Sequence, residues 1–348
     1  MATAEDVAAA HYLQQVQASS TAAYRAQALW QAVDRTRIAD SWAEMLPYMV
    51  QTVSAAQYLA ASSANEYVVA ALDAQGLDSS GAEVAPRSFA GVAADGRDLA
   101  GLLASPVYTA LDGIKQGLSV DRAMAGGLNQ LVMLASSTVT DAGRVAVGVG
   151  VASRSVRTGY VRMLSPPSCA RCAVLAGKFY RWNDGFARHP QCKCIHIPTS
   201  ENASGDKRTD PYKYFNSLSA DEQNKYFTKD GAQAIRDGAD MGQVVNARRG
   251  MSTTAGGSKV TSEGTTRRGY WGGQQATRDR RGSERYGVSN KQRMMPEEIY
   301  KRAKTREDAV RMLREYGYIT PAGQVPAAIR GEGYGFTGGR ANRLGYGH

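Results

Sequence analysis

The chain is poor in the residue types that carry chemistry: its 348 residues include only four cysteines and four histidines. It has no window approaching the roughly 18 consecutive apolar residues of a membrane span, which argues against a helical membrane protein. The opening residues, "MATAEDVAAAHYLQQ", carry acids where a secretory signal needs positive charge, and they lack an uninterrupted apolar stretch. The expectation is a protein made and folded in a cytosol, where clustered thiols point to metal rather than to disulfides. Glycine is scarce over the first 75 residues although the whole chain holds 37, so the apolar content of 43% is not spread evenly.

Acidic charge is scarce in the second part of the chain. Residues 1–150 carry 8 Lys and Arg against 14 Asp and Glu, and residues 151–348 carry 34 against 18. That split suggests a basic half facing a polyanion such as nucleic acid and an acidic half with another task. A solvated basic surface kept for solubility is the competing explanation.

The length implies more than one folding unit. Residues 1–76 read as a helical hairpin. Tyr12, Val16, Leu29 and Val33 form one helical stripe, and Met49, Val53, Ala56 and Ala60 form a second, with Pro47 in that helix's first turn and Gly76 as its C-cap. Such a hairpin would dock on another protein. Residues 77–160 read as a helical domain, with short helices near 96–104 and 106–117. Two more follow, one capped by Ser119 and one rich in small residues (Gly143, Ala146, Val147, Gly150). Residues 161–200 form a small α+β module, and 201–250 hold short helices with Ser219 and Glu222 as a capping box. A basic Gly/Arg-rich linker, extended or disordered, is expected over 251–295. A helical pair at 296–320, opened by Pro296, capped at Thr305 and Asp308 and stopped by Gly317, precedes a flexible tail at 321–348. The fold class is mainly α.

All four cysteines fall within 26 residues, in the pattern C-x2-C-x16-H-x2-C-x-C-x-H. Cys169 and Cys172 follow the stiff "SPP" and can aim two thiolates at one point, each about 2.3 Å from a zinc ion. His189, Cys192 and Cys194 offer three further donors, Cys192 and Cys194 on one face of a strand. Four of these five residues would hold one structural Zn²⁺. His196, in phase with the last two cysteines, is read as a packed strand residue. A catalytic zinc would need a neighbouring acid or base, and Asp184 is the one acidic residue between Cys169 and Cys194.

The pairing of "CARCAVLAGKFY" with "RHPQCKC" resembles the phage Mu F-like (MuF) minor head proteins. Cys169, Cys172, Leu175, Gly177, Phe179, His189, Pro190, Cys192 and Cys194 carry the likeness, which covers roughly residues 120–200. The resemblance implies a minor capsid protein of a tailed phage of actinobacteria, inside the head near the portal vertex and synthesised in the host cytoplasm. It would support head assembly, DNA packaging or ejection, with the portal protein, the major capsid protein and packaged double-stranded DNA as partners. The Gly/Arg tail is not part of the shared motif.

Within that tail, Arg267, Arg268, Tyr270, Trp271, Arg278, Arg280, Arg281, Arg285 and Tyr286 interleave cations with aromatic faces, a mixture suited to non-specific nucleic-acid contact. A solvated basic linker is the alternative. A zinc-stabilised nuclease or a capsid protease would need a histidine base, and His11 and His348 lie near opposite ends of the chain. The sequence is therefore read as non-enzymatic, with a zinc-containing DNA-binding regulator as the rival reading.

Overall fold

The computed structural model describes residues 2–155, 158–176, 179–182, 194–203, 210–266, 269–278 and 292–324. The described chain is mainly helical and divides into two compact units, one of residues 1–163 with 179–207 and one of 164–178 with 208–348. The segments expected as a hairpin (1–76) and as a helical domain (77–160) both lie in the first unit, and the segment 161–200 is shared between the two.

In the first unit, helix α1 (Ala4–Gln31) opens with a capping box in which Thr3 Oγ1 accepts from the Asp6 amide at 3.1 Å and Asp6 Oδ2 accepts from the Thr3 amide at 2.9 Å. Its buried face is Ala4, Ala8, His11, Gln15, Ala22, Ala26 and Trp30, not the expected stripe. Of that stripe, Val33 just past the helix is buried, Tyr12 and Leu29 pack half-buried against the core, and Val16 is 38% exposed. Alanine wins the inner face because short side chains let a neighbouring helix come close. Helix α2 (Ile38–Ser62) buries Met49, Val53, Ala56 and Ala60 as the periodicity indicates, but Pro47 sits inside it and not in its first turn. A break at Ser63 then starts α3 (Ala64–Asp73). Gly76, at φ +67°, caps α3: Leu77 N donates to Leu72 O at 3.1 Å and Gly76 N to Asp73 O at 2.9 Å.

The two short helices expected near 96–117 are one helix, α4 (Leu99–Lys115), with Pro106 in its interior. Pro106 cannot donate to Leu102 O, and the Ser105 hydroxyl takes that acceptor instead at 2.7 Å. The next two are likewise one helix, α5 (Val120–Ala152), 33 residues and about 50 Å long. It packs against α1, α2, α3 and α4. Trp30 and Trp42 meet edge to face at 5.1 Å, and their indole N–H groups donate to Met124 O and Leu103 O, both at 3.0 Å. Strands β1 (Thr158–Met163), β2 (Phe179–Arg181) and β3 (Ile195–Ser200) form an antiparallel sheet in the order β2-β1-β3. Gln75 ties β3 to the end of α3, donating to Pro198 O at 2.8 Å and accepting from Thr199 Oγ1 at 2.7 Å.

The second unit holds α6 (Ala170–Leu175), α7 (Pro211–Ser217), α8 (Ala220–Phe227), α9 (Lys229–Arg236) and α10 (Met241–Ala247). The capping box of Ser219 with Glu222 opens α8, and Gly238 at φ +99° separates α9 from α10. The expected disordered linker needs correction over its described part. Strands β4 (Met251–Thr253) and β5 (Lys259–Thr261) pair antiparallel, β6 (Arg293–Met294) joins β5, and α11 (Tyr270–Arg278) lies between β5 and β6 in sequence. Buried Thr261 donates to Ala247 O at 2.6 Å, and Arg293 lies over the Tyr318 ring at 3.8 Å, so polar and aromatic contacts replace missing aliphatic ones. Helices α12 (Pro296–Arg302) and α13 (Arg306–Glu315) complete the unit, with Thr305 Oγ1 accepting from Asp308 N at 3.1 Å and Gly317 at φ +67°. The tail beyond residue 324 lies outside the described residues. No helix of the described residues is long and apolar enough to cross a membrane.

Two adjacent glycines of α5 give a test of its packing. A Cβ on Gly127 would overlap the Trp30 ring and lie 2.9 Å from Pro106 O, whereas one on Gly126 meets nothing within 4 Å. Gly127→Ala should cost about 1–3 kcal/mol, and Gly126→Ala should stabilise by up to about 1 kcal/mol, both read as shifts in the urea unfolding midpoint.

Candidate functional site

Cys169 is the N-cap of α6: its Sγ accepts from the Cys172 amide at 3.4 Å. The two sulfurs are 3.3 Å apart, and the pair is not joined as a disulfide. Two thiolates about 2.3 Å from one tetrahedral zinc stand about 3.8 Å apart, so a small opening of this knuckle accommodates the ion. A disulfide would need closure to about 2.05 Å. Cys172 is buried and Cys169 half-buried.

Elements of the second unit hold this knuckle. The Tyr214 hydroxyl accepts from Ser168 N at 2.8 Å and donates to Ser168 O at 2.9 Å, while Ser168 Oγ donates to Ser165 O at 2.8 Å. From α10, Asn246 Oδ1 accepts from the Arg171 guanidinium. Sequence reasoning missed Tyr214 because its partner groups are backbone atoms 46 positions away, which leave no spacing signature.

The other candidate ligands are placed differently. Cys194 belongs to the first unit, buried immediately before β3. His189 and Cys192 lie outside the described residues. Among the described residues no three His, Cys, Asp or Glu side chains gather as a metal site. His196 sits in β3 with its ring stacked on Tyr160 at 3.9 Å, and its carbonyl accepts from the Tyr67 hydroxyl.

Of the expected nucleic-acid contacts, Trp271 takes a different role. It is 6% exposed, stacks on Tyr316 at 6.3 Å and packs beneath Gly317, so its ring serves the core of the second unit and is not offered to bases. Tyr270 is half-buried, its hydroxyl accepting from Gln274 at 2.8 Å. Arg278 ends α11. Arg267, Arg268, Arg280, Arg281, Arg285 and Tyr286 lie outside the described residues.

The first unit also contains a cleft of about 420 Å³ lined by faces of α1 and α5 and by the start of β3. His11, Gln15, Tyr67, Arg144, Cys194 and His196 contribute to its walls. Arg144 lies 3.3 Å from Asp141. His11 stacks flat on Tyr67 at 4.0 Å, and burial pushes its pKa down to about 4. Sequence reasoning treated His11 only as a terminal histidine; its position in register with Ala4, Ala8 and Gln15 was the signal available.

The buried imidazole makes stability depend on pH. The unfolded chain takes up the proton near pH 6.5, the folded one only near pH 4. Stability present above pH 6.5 is therefore lost as pH falls toward 4, by up to about 3 kcal/mol. His11→Phe, which keeps a ring against Tyr67, should flatten that part of the profile in urea titrations at stepped pH.

No curated protein and no solved structure matches the chain. The family model of the VG15 protein matches residues 1–220, more than half of its length and the whole stretch from α1 through α8's first residue. The chain belongs to this VG15 family of phage genes.

Proposed function

We propose that the protein is a minor head protein of a tailed phage, of the phage Mu F-like kind, carried inside the capsid near the portal with a structural zinc ion. The observation that carries this reading is the Cys169–Cys172 knuckle, set at an N-cap ahead of "HPQCKC" in a chain of a phage gene family. Cys169 and Cys172, with two of His189, Cys192 and Cys194, would hold the ion, whose chemistry there is to stiffen the fold. No catalytic role is part of the proposal.

The partner surface proposed for the portal is the outward face of the N-terminal helices. Tyr48 and Leu59 of α2 are each 64% exposed, and eleven residues of helix bring them to nearly the same face. The basic C-terminal part, with 18 Lys and Arg against 9 Asp and Glu over residues 251–348, would meet packaged DNA through phosphates. Such binding should weaken with salt and ignore sequence; preference for one DNA sequence would favour a zinc-containing regulator instead.

Mass spectrometry of purified virions tests the location: the chain should be present and protected from added protease until the heads are opened. Purified protein should contain about one zinc per chain, and Cys169→Ser or Cys172→Ser should lose it. Tyr48→Glu combined with Leu59→Glu should reduce incorporation into heads without changing the far-UV spectrum. Because α1 and α3 share their packing with α5, these surface changes test docking where deletion of the hairpin would unfold the unit.

A further inference from the structure

We propose that Tyr214 is the positioning residue of the Cys169–Cys172 half of the metal site, with Asn246 as a second brace acting through Arg171. This rests on the zinc reading above and extends it to residues outside the cysteine segment.

Ser168 immediately precedes the first cysteine, and one phenol engages both of its backbone groups, accepting from the N–H at 2.8 Å and donating to the carbonyl at 2.9 Å. Both bonds are buried, and Tyr214 is 7% exposed. The peptide planes on either side of Ser168 are thereby fixed, and they set the direction in which Cys169 leaves the chain. Ser168 Oγ ties the same residue to Ser165 O at 2.8 Å. Asn246 holds the side chain of Arg171, which stands between the two cysteines in sequence. Groups that orient metal ligands without touching the ion change metal affinity by about 10–100-fold when lost. The hydroxyl of Tyr214 is in that position with respect to Cys169.

Tyr212, in the same helix, gives the control. Its hydroxyl donates to Asp240 Oδ2 at 3.2 Å and accepts from Met241 N at 3.0 Å, at the start of α10. Tyr212→Phe removes a comparable hydroxyl and leaves the Tyr214 bonds to Ser168 in place.

The experiment measures zinc affinity of the full chain by competition with a chromophoric chelator, together with the thiolate-to-metal absorption of the cobalt(II)-loaded protein. Tyr214→Phe should bind zinc about 10–100-fold more weakly and show an altered cobalt spectrum. Tyr212→Phe should match wild type in both. Asn246→Ala should also weaken zinc binding, and it serves where Tyr214→Phe does not fold. Wild-type affinity in both Tyr214→Phe and Asn246→Ala overturns the inference, as does an equal loss in Tyr212→Phe. Wild-type protein that takes up neither zinc nor cobalt overturns the metal reading, and this inference with it.

Discussion

The first unit depends on how closely other elements can approach α5. Gly127 lies under the Trp30 ring, Gly143 against the Gln15 amide, and Gly150 against Val68 and Val84. Each is a place where one methyl group would force the neighbour away, and interiors packed to crystal density have little slack to absorb it. Glycine in a helix costs up to about 1 kcal/mol relative to alanine, so these positions make sense only through the contacts they permit. The Gln15 amide shows one such contact: its Nε2 donates to Ala60 O at 2.8 Å and reaches Ser63 Oγ at 3.2 Å, joining α1 to the end of α2. The tryptophans then fill what the small residues leave, and their N–H groups find carbonyls of α4 and α5.

That arrangement explains which parts of the fold were legible. Met49, Val53, Ala56 and Ala60 gave the inner face of α2, and Gly143, Ala146, Val147 and Gly150 gave that of α5, because apolar or small residues at helical spacing leave few alternatives. The face of α1 was read in part: Val33, Leu29 and Tyr12 pack inward, but the alanines that form most of the inner face were passed over. The helix start after Ser119 is real, whereas the breaks expected near 105 and near 140 are not. Ser105 supplies the donor that Pro106 lacks, and at the second place the Thr140 hydroxyl bonds Ser136 O at 2.7 Å within an unbroken helix. The linker beyond residue 250 looked disordered for want of aliphatic residues. Its described part is ordered by Thr261, Trp271, Arg293 and Tyr318, which hydropathy patterns undervalue.

At the candidate site the closeness of Cys169 and Cys172 was legible and its support was not. Spacing places Cys169 and Cys172 at one point, since a turn of CxxC leaves two thiols side by side, and the structure sets them 3.3 Å apart. What holds them is read from nowhere in the segment: a tyrosine bonded to backbone atoms carries no pattern. Neither does the stacking that places His11 on Tyr67, where the sequence shows only an isolated histidine among alanines. Trp271 errs in the other direction, because an aromatic among arginines suits both a base platform and a core.

The division of the chain has a topological consequence. Residues 164–178 belong to the second unit, while β1 before them and β2 after them belong to the first. The polypeptide therefore changes unit three times, near residues 163, 178 and 207. No single backbone cut releases either unit intact, and neither corresponds to a continuous stretch that could be exchanged between genes as one block. Recombination that preserves both must carry the segments on each side of all three crossings together, and the family match, over residues 1–220, spans every crossing. Inheritance of the two units is thus linked by connectivity alone, whatever selection acts on each.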